Sequence, residues 1–205
     1  MQNKQHWETV YSTKAPDAVS WFQAHAETSL GLINALSLDK GAAIIDVGSG
    51  ASTLLDDLLL QGFSNLSVLD LSSAALTTVK KRIGAQANTV QWFEGDVTNA
   101  TFAPHQFDVW HDRAVFHFLT SAEERQAYIN NVLHSVKPNG HVIIATFAED
   151  GPTQCSGLPV MRYCAESLQS ELGEQFRLAE YVKHNHETPF GTVQKFLFCH
   201  FIKQA

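Results

Sequence analysis

The sequence predicts a single doubly wound α/β domain with a mostly parallel central sheet. Short apolar segments alternate with helix-like segments five times along the chain, and two further strand-like segments follow at the end. Because strand–helix–strand connections are right-handed, this alternation places helices on both faces of one sheet, in three layers. A length of 205 residues with 44% hydrophobic residues fits one domain over residues 1–205.

The composition limits the partners and the location of the protein. Lys and Arg number 14 against 21 Asp and Glu, and the net charge of −7 predicts neither a nucleic-acid partner nor a membrane partner. The sequence has no long apolar run and no visible export signal, and its three widely spaced cysteines fit reduced thiols. We therefore expect a cytoplasmic protein with a small or neutral-to-basic partner. The sequence leaves its oligomeric state open.

The first half of the chain supplies three predicted strands and the helices between them. Apolar residues at helical spacing predict a helix over 17–36, which begins at Asp17 after Pro16. A continuous apolar run predicts a buried strand over 42–47. The remaining elements of this half are a helix over 54–60, a strand over 66–70, a helix over 74–83 capped by Ser72, and a strand over 90–93.

The second half supplies two further parallel strands and a terminal antiparallel pair. Ser121 and Glu124 predict a capping box for a helix that runs to about Val136. Pro138-Asn139-Gly140 predicts a turn before the fifth strand. The remaining elements are strands over 107–111 and 141–147, a loop over 149–159, a helix over 165–172, and an antiparallel hairpin of 176–186 with 192–201.

Three carboxylates, Asp46, Asp70 and Asp96, follow the first three predicted strands. Because the carboxyl ends of parallel strands meet at one edge of a sheet, we expect these side chains in one cleft. Gly48 and Gly50 let the turn after the first strand approach a ligand closely. A carboxylate twenty residues after Gly50 can accept both hydroxyls of a ribose, which makes Asp70 the ribose candidate.

The residues after the third strand fit the adenine end of the same ligand. The Asp96 carboxylate can accept a hydrogen bond from the exocyclic amine, while Val97 packs against the ring. Asp also caps helices at such positions, so a capping role for Asp96 stays open. Ser49 and Leu71 adjoin the glycine turn and Asp70, and we count them with the cofactor-binding residues.

Taken in order, these segments resemble the successive motifs of the class I, Rossmann-like methyltransferases that use S-adenosylmethionine. The resemblance covers roughly residues 40–147, and it rests on Asp46-Val47-Gly48-Ser49-Gly50, Asp70, Gly95-Asp96-Val97 and the segment at Asp112. It implies a seven-stranded sheet with an antiparallel last strand and S-adenosylmethionine as the cofactor. Ser52 stands where the family often has a third glycine.

A dinucleotide-binding oxidoreductase that uses NAD(P) is the alternative among cofactor enzymes. Gly48, Gly50 and Thr53 match the spacing of its glycine fingerprint, although Thr53 replaces the third glycine. Asp46 would repel a pyrophosphate, but it suits the ammonium and sulfonium charges of S-adenosylmethionine. The sequence therefore favours the sulfonium cofactor.

The segment 110–119 follows the fourth strand, where the winding of the sheet reverses and methyl donor and acceptor must meet. The resemblance implies that Asp112 lines the transferred methyl group, and His111 beside it is counted with the cofactor-binding residues. Arg113 is a candidate for pairing with an anionic acceptor, and His117 is a candidate titratable neighbour. A packed structural role for His117 stays open, because it lies between two phenylalanines. Asp112, Arg113 and His117 are thus the predicted catalytic residues.

Two segments outside the sheet are predicted to cover the site. Trp7 and Tyr11 share one helix face, and this opening resembles that of related enzymes, most visibly the protein-lysine methyltransferases. Residues 1–36 are therefore predicted to cover the cofactor, with a simple hydrophobic anchor as the alternative. The Gly- and Pro-rich segment 149–163 is predicted to be a substrate lid, in which Arg162 either contacts the acceptor or lies on the surface.

No metal site is predicted, although four potential ligands lie on the terminal hairpin. His184 and His186 share a strand face, whereas Cys199 and His200 point to opposite faces. The sequence thus offers no consistent set of metal ligands there.

The function favoured by these observations is methyl transfer from S-adenosylmethionine. A small-molecule acceptor is slightly favoured over a protein lysine, because the chain has no added recognition domain. A non-catalytic module that binds the cofactor as a scaffold or sensor is the alternative. The ionisable residues of segment 110–119 favour an enzyme.

Overall fold

A computed structural model describes residues 4–205, so that residues 1–3 of the predicted covering segment lie outside the described part of the chain. The helices are α1 Lys4–Thr13, α2 Glu27–Ala35, α3 Leu54–Leu60, α4 Ser73–Ile83, α5 Ala122–Ser135 and α6 Ala165–Leu172. The strands are β1 Ala43–Val47, β2 Asn65–Asp70, β3 Gln91–Glu94, β4 Phe107–Arg113, β5 Val136–Ala148, β6 Gln154–Cys155, β7 Leu158–Pro159, β8 Arg162–Tyr163, β9 Phe176–Glu187 and β10 Val193–Lys203.

The central sheet has the strand order β3-β2-β1-β4-β5-β10-β9. The pairs from β3 to β5 are parallel, and β10, the last strand of the chain, runs antiparallel to both of its neighbours. This is the predicted seven-stranded sheet. The strand order reverses between β1 and β4, so the loops that follow these two strands diverge and leave a crevice at the edge of the sheet.

The core lies on both faces of the sheet, because every residue of β1 is buried. Ile45 and Val47 belong to the apolar cluster on one face, whereas Ile44 packs in the cluster on the other. Each fully buried side chain of this kind contributes about 1.5–3 kcal/mol. The carboxyl ends of these strands are therefore held in fixed positions. No helix in residues 4–205 is both long and apolar enough to cross a membrane.

The helix predicted over 17–36 is wrong in its first half, because α2 begins only at Glu27. In the segment 14–26, the backbone forms only isolated turns, and two of its carbonyls accept hydrogen bonds from distant side chains. Arg113 donates to Trp21 O at 3.0 Å, and His186 Nε2 lies 2.8 Å from Ser20 O. Tertiary contacts thus replace the helix that the apolar spacing favours.

The turn predicted at 138–140 lies inside β5 as an irregularity of the strand. Phe107 pairs with Val136 and Val109 with His141, so the register jumps across this stretch. Asn139 has a φ of 61°, the left-handed conformation that asparagine tolerates at turns. Two predicted caps are present, since Ser72 Oγ accepts from Ala75 N and Ser121 Oγ from Glu124 N, both at 3.2 Å.

Candidate cofactor and active site

One pocket opens at the carboxyl ends of β1 and β4. It encloses about 1080 Å³ including the space at its mouth, close to the upper end of the range of about 300–1,000 Å³ usual for small-molecule sites. The predicted residues on its wall are Trp7, Tyr11, Asp46, Gly48, Ser49, Asp70, Leu71, Val97 and Arg113. The predicted residues that do not line it are Gly50, Asp96, His111, Asp112 and His117.

Several wall residues were not singled out by the sequence. They are mostly aromatic or apolar side chains, namely Val19, Trp21, Phe22, Phe118, Cys155 and Phe196. Phe118 falls inside the predicted segment 110–119, and the adjacent aromatic pair Trp21-Phe22 is the one local signal for the segment 14–26. The contribution of Phe196, on β10, depends on the pairing of distant strands.

The glycine turn after β1 is packed on both sides. Gly48 and Gly50 have φ angles of 61° and 56°, which favour glycine, and the Gly48 N–H donates to Leu69 O at 2.7 Å. A Cβ on Gly48 would overlap Val115 Cγ2, and one on Gly50 would overlap the Tyr11 hydroxyl. Both positions therefore require glycine for space as well as for backbone conformation.

Asp70 lies buried at the end of β2, beside the glycine turn. Its Oδ2 accepts from Gly50 N at 2.7 Å and its Oδ1 from Ser72 N at 2.8 Å. Burial raises the pKa of the Asp70 carboxyl to about 6, although these two N–H groups oppose the rise. Each oxygen keeps a further lone pair, so the carboxylate can still accept two ribose hydroxyls.

Binding of S-adenosylhomocysteine is expected to weaken several-fold between pH 7.5 and pH 5 because of Asp70. Its carboxyl has a pKa of about 6, so it is ionised above that pH and gains a proton below it, which removes acceptor capacity for the ribose. Isothermal titration across this range measures the change. Asp70→Asn is the control: it should bind weakly at every pH, and an equally steep pH profile in this variant would contradict the assignment.

Asp46 lies near the end of β1, and the buried His111 contacts its carboxylate on the side away from the pocket. Its Oδ1 lies 2.7 Å from His111 Nδ1, and His111 Nε2 lies 2.9 Å from Ser29 Oγ. A serine, histidine and carboxylate also meet in hydrolases, but here Ser29 and His111 are buried and neither lines the pocket. Asp46 Oδ2 is buried and has no hydrogen-bond partner in residues 4–205. His111 thus acts on the pocket only through Asp46.

Asp96 and Val97 separate in the structure. Val97 lines the pocket together with Gly95, whereas the Asp96 carboxylate turns to its own loop. Asp96 Oδ1 accepts from Thr98 N at 2.9 Å and from Thr98 Oγ1 at 2.8 Å. These contacts close a turn over 97–99, and the described residues between β3 and β4 contain no helix, so the helix-capping alternative for Asp96 is not realised either.

Arg113 is the predicted catalytic residue that lines the pocket. Its Nη1 donates to Trp21 O at 3.0 Å, and its guanidinium carbon lies 5.2 Å from the centre of the Phe196 ring. Its Nε and Nη2 are buried without a partner in the described chain. Burial lowers the pKa of Arg113 to about 10, so the side chain stays charged at neutral pH.

Asp112 points away from the pocket into a buried hydrogen-bond network. Its Oδ1 accepts from Val115 N at 2.7 Å, and its Oδ2 accepts from Phe116 N at 3.0 Å and from the Tyr128 hydroxyl at 2.7 Å. Tyr128 in turn accepts from Trp110 Nε1 at 2.9 Å. The carboxylate is used to fix the turn after β4, and these contacts give no support to its predicted place at the reaction centre.

His117 is also buried away from the pocket. Its Nδ1 accepts from Phe147 N at 3.3 Å, and its ring packs against Phe118 and Phe147 with centroid distances of 4.5 and 4.9 Å. Burial lowers the pKa of His117 to about 3, which keeps the ring neutral. This is the packed structural role that the sequence left open.

Helix α1 covers the pocket with aromatic side chains. Trp7 and Tyr11 lie on the pocket wall with ring centroids 6.2 Å apart, as their spacing predicts. The Trp7 ring also lies 5.8 Å from Trp21 and 5.3 Å from Phe118. The three rings of Trp7, Trp21 and Phe118 are called the aromatic cluster below.

Glu8 fastens α1 to the N-terminus of α4. Its Oε1 accepts from Ser73 N at 2.8 Å and Ser73 Oγ at 2.7 Å, and its Oε2 from Ser72 Oγ at 2.9 Å and Ala74 N at 3.1 Å. These hydrogen bonds lower the pKa of Glu8 to about 2. A carboxylate at this helix end also interacts favourably with the helix dipole.

The segment 149–163 is folded over one side of the pocket. Strands β6 and β7 form a small antiparallel hairpin, and β8 extends the sheet beside β5. Cys155 lines the pocket from this hairpin, and burial raises the pKa of its thiol to about 12. Ser156 Oγ lies 3.0 Å from His6 Nε2 and so connects the hairpin to α1. Exposed Arg162 donates to Gly151 O at 3.2 Å.

The histidines of the terminal hairpin make separate contacts. His184 Nδ1 lies 3.2 Å from Thr28 Oγ1, and His200 Nε2 lies 2.9 Å from His141 Nδ1. In residues 4–205, no group of three or more His, Cys, Asp or Glu side chains has an arrangement that could hold a metal ion.

Part of the chain matches a known protein family. Residues 44–140 match the sequence family described as "Methyltransferase domain". Residues 44–140 thus carry a methyltransferase domain, which is consistent with the predicted class I, Rossmann-like family. A curated relative, EEF1A lysine methyltransferase 2 of Danio rerio, is 30% identical over 122 residues, which are 56% of this chain and 52% of the relative. The chain thus spans about half the length of that relative.

Solved structures share the fold of this methyltransferase domain. The N-methyltransferase NodS of Bradyrhizobium japonicum, in complex with S-adenosylhomocysteine, has a TM-score of 0.71 at 17% identity, over 98% of each chain. The 1,6-didemethyltoxoflavin-N1-methyltransferase of Burkholderia thailandensis has a TM-score of 0.69 at 18% identity, over 88% of this chain and 78% of the other.

The predicted methyltransferase family agrees with the match over residues 44–140, and the predicted cofactor, S-adenosylmethionine, agrees with the S-adenosylhomocysteine bound to NodS. The methyltransferase pocket also fits this cofactor by its own chemistry. Gly48 and Ser49 of the glycine turn lie on the pocket wall at the end of β1, Asp70 offers free lone pairs, and Asp46 offers an unused buried acceptor. The oxidoreductase alternative has no support in the family match.

Proposed function

We propose that this protein transfers the methyl group of S-adenosylmethionine to a small-molecule acceptor that enters beside the aromatic cluster. The observation that carries the proposal is the position of Trp7, Trp21 and Phe118 on the wall of the cofactor pocket itself. Flat aromatic faces bury apolar and aromatic small molecules well. We also place the protein in the cytoplasm, a location supported by its three free cysteines.

The cofactor end of the pocket would be formed by three groups of residues. Asp70 would accept the ribose hydroxyls, Leu71 and Val97 would pack against the adenine, and Asp46 would accept from the ammonium group. The bound cofactor supplies an electrophilic methyl group on a positively charged sulfur. Gly48 and Ser49 lie on the pocket wall, so the backbone of the glycine turn would lie beside the bound cofactor.

The catalytic contribution of the protein would be alignment and exclusion of water. Methyl transfer is an in-line displacement, and its rate depends on holding the nucleophile in line with the methyl carbon. The ionisable side chains on the described pocket wall are Tyr11, Asp46, Asp70, Arg113 and Cys155. Burial raises the pKa values of Tyr11 and Cys155, and both carboxylates belong to the cofactor end. The acceptor would therefore use a lone pair already present or lose its proton to water.

A protein lysine is the second candidate acceptor. It is supported by the similarity to EEF1A lysine methyltransferase 2 and by the spacing of Trp7 and Tyr11 at the start of the chain. The small molecule is preferred because α1 covers the entrance of the pocket and because the aromatic cluster offers flat apolar faces to an acceptor.

The two candidates are separated by labelling a cell extract with S-adenosylmethionine that carries a radioactive methyl group. After incubation with the protein, the extract is divided by mass into protein and small-molecule fractions. Label in the small-molecule fraction is the expected result. Label in lysine residues of the protein fraction would show that the acceptor is a protein lysine and not a small molecule. Cofactor binding without label in any fraction would favour the non-catalytic module.

Phe118→Ala is expected to raise the KM for the methyl acceptor found in the small-molecule fraction about tenfold. This is the effect of losing roughly 1.4 kcal/mol of aromatic contact. The affinity for S-adenosylhomocysteine should change less than about threefold, because that ligand does not depend on the acceptor end. Initial rates and isothermal titration measure the two effects. Leu60→Ala, at a side chain 86% exposed on α3, is the matched control and should leave both unchanged. A KM unaltered by Phe118→Ala would remove the aromatic cluster from the acceptor site.

A further inference from the structure

We propose that Arg113 binds the carboxylate of the cofactor's amino-acid end, and that Arg113 and Asp46 together form a clamp for this zwitterionic group. The proposal rests on S-adenosylmethionine as the ligand of this pocket. It changes the role of Arg113 from recognition of an anionic acceptor to recognition of the methyl donor. Arg113 is then a binding residue, and the acceptor site lies elsewhere on the wall.

The two ends of the clamp carry opposite charges, and each keeps buried polar atoms without a hydrogen-bond partner in residues 4–205. Arg113 uses Nη1 for the backbone of Trp21, but its Nε and Nη2 have no hydrogen-bond partner in residues 4–205. Asp46 uses Oδ1 for His111, but its Oδ2 has none. A buried donor or acceptor left unpaired is costly, so the two orphaned ends point to a ligand that supplies the missing partners.

The register of the sheet places Arg113 at the cofactor end of the pocket. In the parallel pair of β1 and β4, Asp46 lies opposite His111 and Val47 lies opposite Asp112. Arg113 is one position further, level with Gly48. Because side chains alternate along a strand, Arg113 shares the face of His111, while Asp112 points to the other face. Arg113 therefore flanks the glycine turn that holds the cofactor.

Arg113 is also the one cationic side chain among the described residues that line the pocket. The amino-acid end of the cofactor carries one ammonium and one carboxylate. The pocket wall offers Asp46 for the first and, in the described chain, Arg113 alone for the second. The guanidinium is suited to this task, because Nε and Nη2 form the two-pronged edge that pairs with both oxygens of a carboxylate.

Several contacts fix the two charged groups in advance. His111 and Ser29 hold Asp46 from behind, at 2.7 and 2.9 Å. The carbonyl of Trp21 and the ring of Phe196 hold Arg113. A ligand that meets groups already in position loses little free energy to ordering them.

The test compares two ligands that differ in the amino-acid end. Isothermal titration is performed with S-adenosylhomocysteine, which carries this end, and with 5′-methylthioadenosine, which lacks it. Arg113→Met is expected to weaken the binding of S-adenosylhomocysteine at least about thirtyfold, because a charge-assisted pair is lost. The binding of 5′-methylthioadenosine should weaken less than about threefold. Arg113→Lys should give an intermediate loss for the first ligand. Arg177→Met, at an exposed arginine on β9, is the matched control and should change neither affinity.

Two results would overturn the clamp. Equal losses for both ligands would show that Arg113 supports the pocket without touching the amino-acid end. Unchanged affinity for S-adenosylhomocysteine would show that Arg113 does not bind the cofactor, and pairing with an anionic acceptor would again be its expected role. If Arg113→Met does not fold, the ratio of the two affinities in Arg113→Lys carries the same decision. Failure of the unaltered protein to bind either ligand would instead contradict the proposed cofactor.

Discussion

Gly48→Ala is expected to weaken the binding of S-adenosylhomocysteine at least about a hundredfold, equivalent to roughly 2.7 kcal/mol. Gly48 has a φ of 61°, at which a residue other than glycine costs about 1–2 kcal/mol. The added Cβ would also overlap Val115 Cγ2. Val115 cannot retreat freely, because its β-branched side chain is restricted in χ1 and its backbone N–H is held by Asp112 at 2.7 Å. The turn itself must then move, and isothermal titration measures the loss.

Gly62→Ala is the matched control for this prediction. Gly62 also has a positive φ, 88°, but a Cβ there would have no heavy atom within 4 Å, and the residue does not line the pocket. The variant carries the backbone strain without the overlap. It should lose stability and keep its affinity for S-adenosylhomocysteine. If Gly48→Ala binds as well as Gly62→Ala, the tight fit of the glycine turn is not what forms the cofactor site.

Asp112→Ala is expected to lower the free energy of unfolding by about 3 kcal/mol or more, with little change in cofactor affinity. The substitution removes the acceptor for Val115 N, Phe116 N and the Tyr128 hydroxyl, and it leaves these donors unpaired in the interior. Urea unfolding and isothermal titration measure the two quantities. Tyr128→Phe, which removes one of the three hydrogen bonds, should lose a smaller part of the stability.

The pH dependence of stability gives an independent check of Asp112. Burial raises the pKa of this carboxyl from an ordinary value of 3.8 to about 6. Between these two values the folded protein binds more protons at this site than the unfolded chain, so its contribution to stability falls as pH rises through the window. Asp112→Asn should reduce that slope. If Asp112→Asn loses activity while its stability and the slope of stability against pH stay unchanged, Asp112 acts at the reaction centre after all.

The position of Asp112 was not predictable from the local sequence, because it depends on where β4 ends. The sequence predicts the end of this strand at His111, whereas the strand continues to Arg113. Once the strand includes these residues, alternation sends His111 and Arg113 to one face and Asp112 to the other. The resemblance identified the right segment. Because β4 is two residues longer than predicted, Arg113 and not Asp112 is the side chain of that segment that reaches the pocket.

Features that depend on neighbours in sequence were predicted well. The strand-ending carboxylates Asp46 and Asp70 and the turn at Gly48 reach the pocket, because each is fixed by one strand and the turn after it. The segment 14–26 was not predicted, since its backbone is held by side chains from β4 and β9 that are distant in sequence. The same long-range packing brings Phe196 of β10 to the wall.

Ser72 connects the covering helix to the ribose site. Its backbone N–H donates to Asp70 Oδ1 at 2.8 Å, while its hydroxyl donates to Glu8 Oε2 at 2.9 Å. One residue therefore takes part both in fastening α1 and in orienting the carboxylate beneath it. Any displacement of α1 from α4 would break the contact between Ser72 and Glu8, next to the N–H that orients Asp70. A substitution of the Ser72 side chain keeps this backbone N–H, so we expect it to weaken the attachment of α1 and to affect Asp70 only through the backbone of that turn.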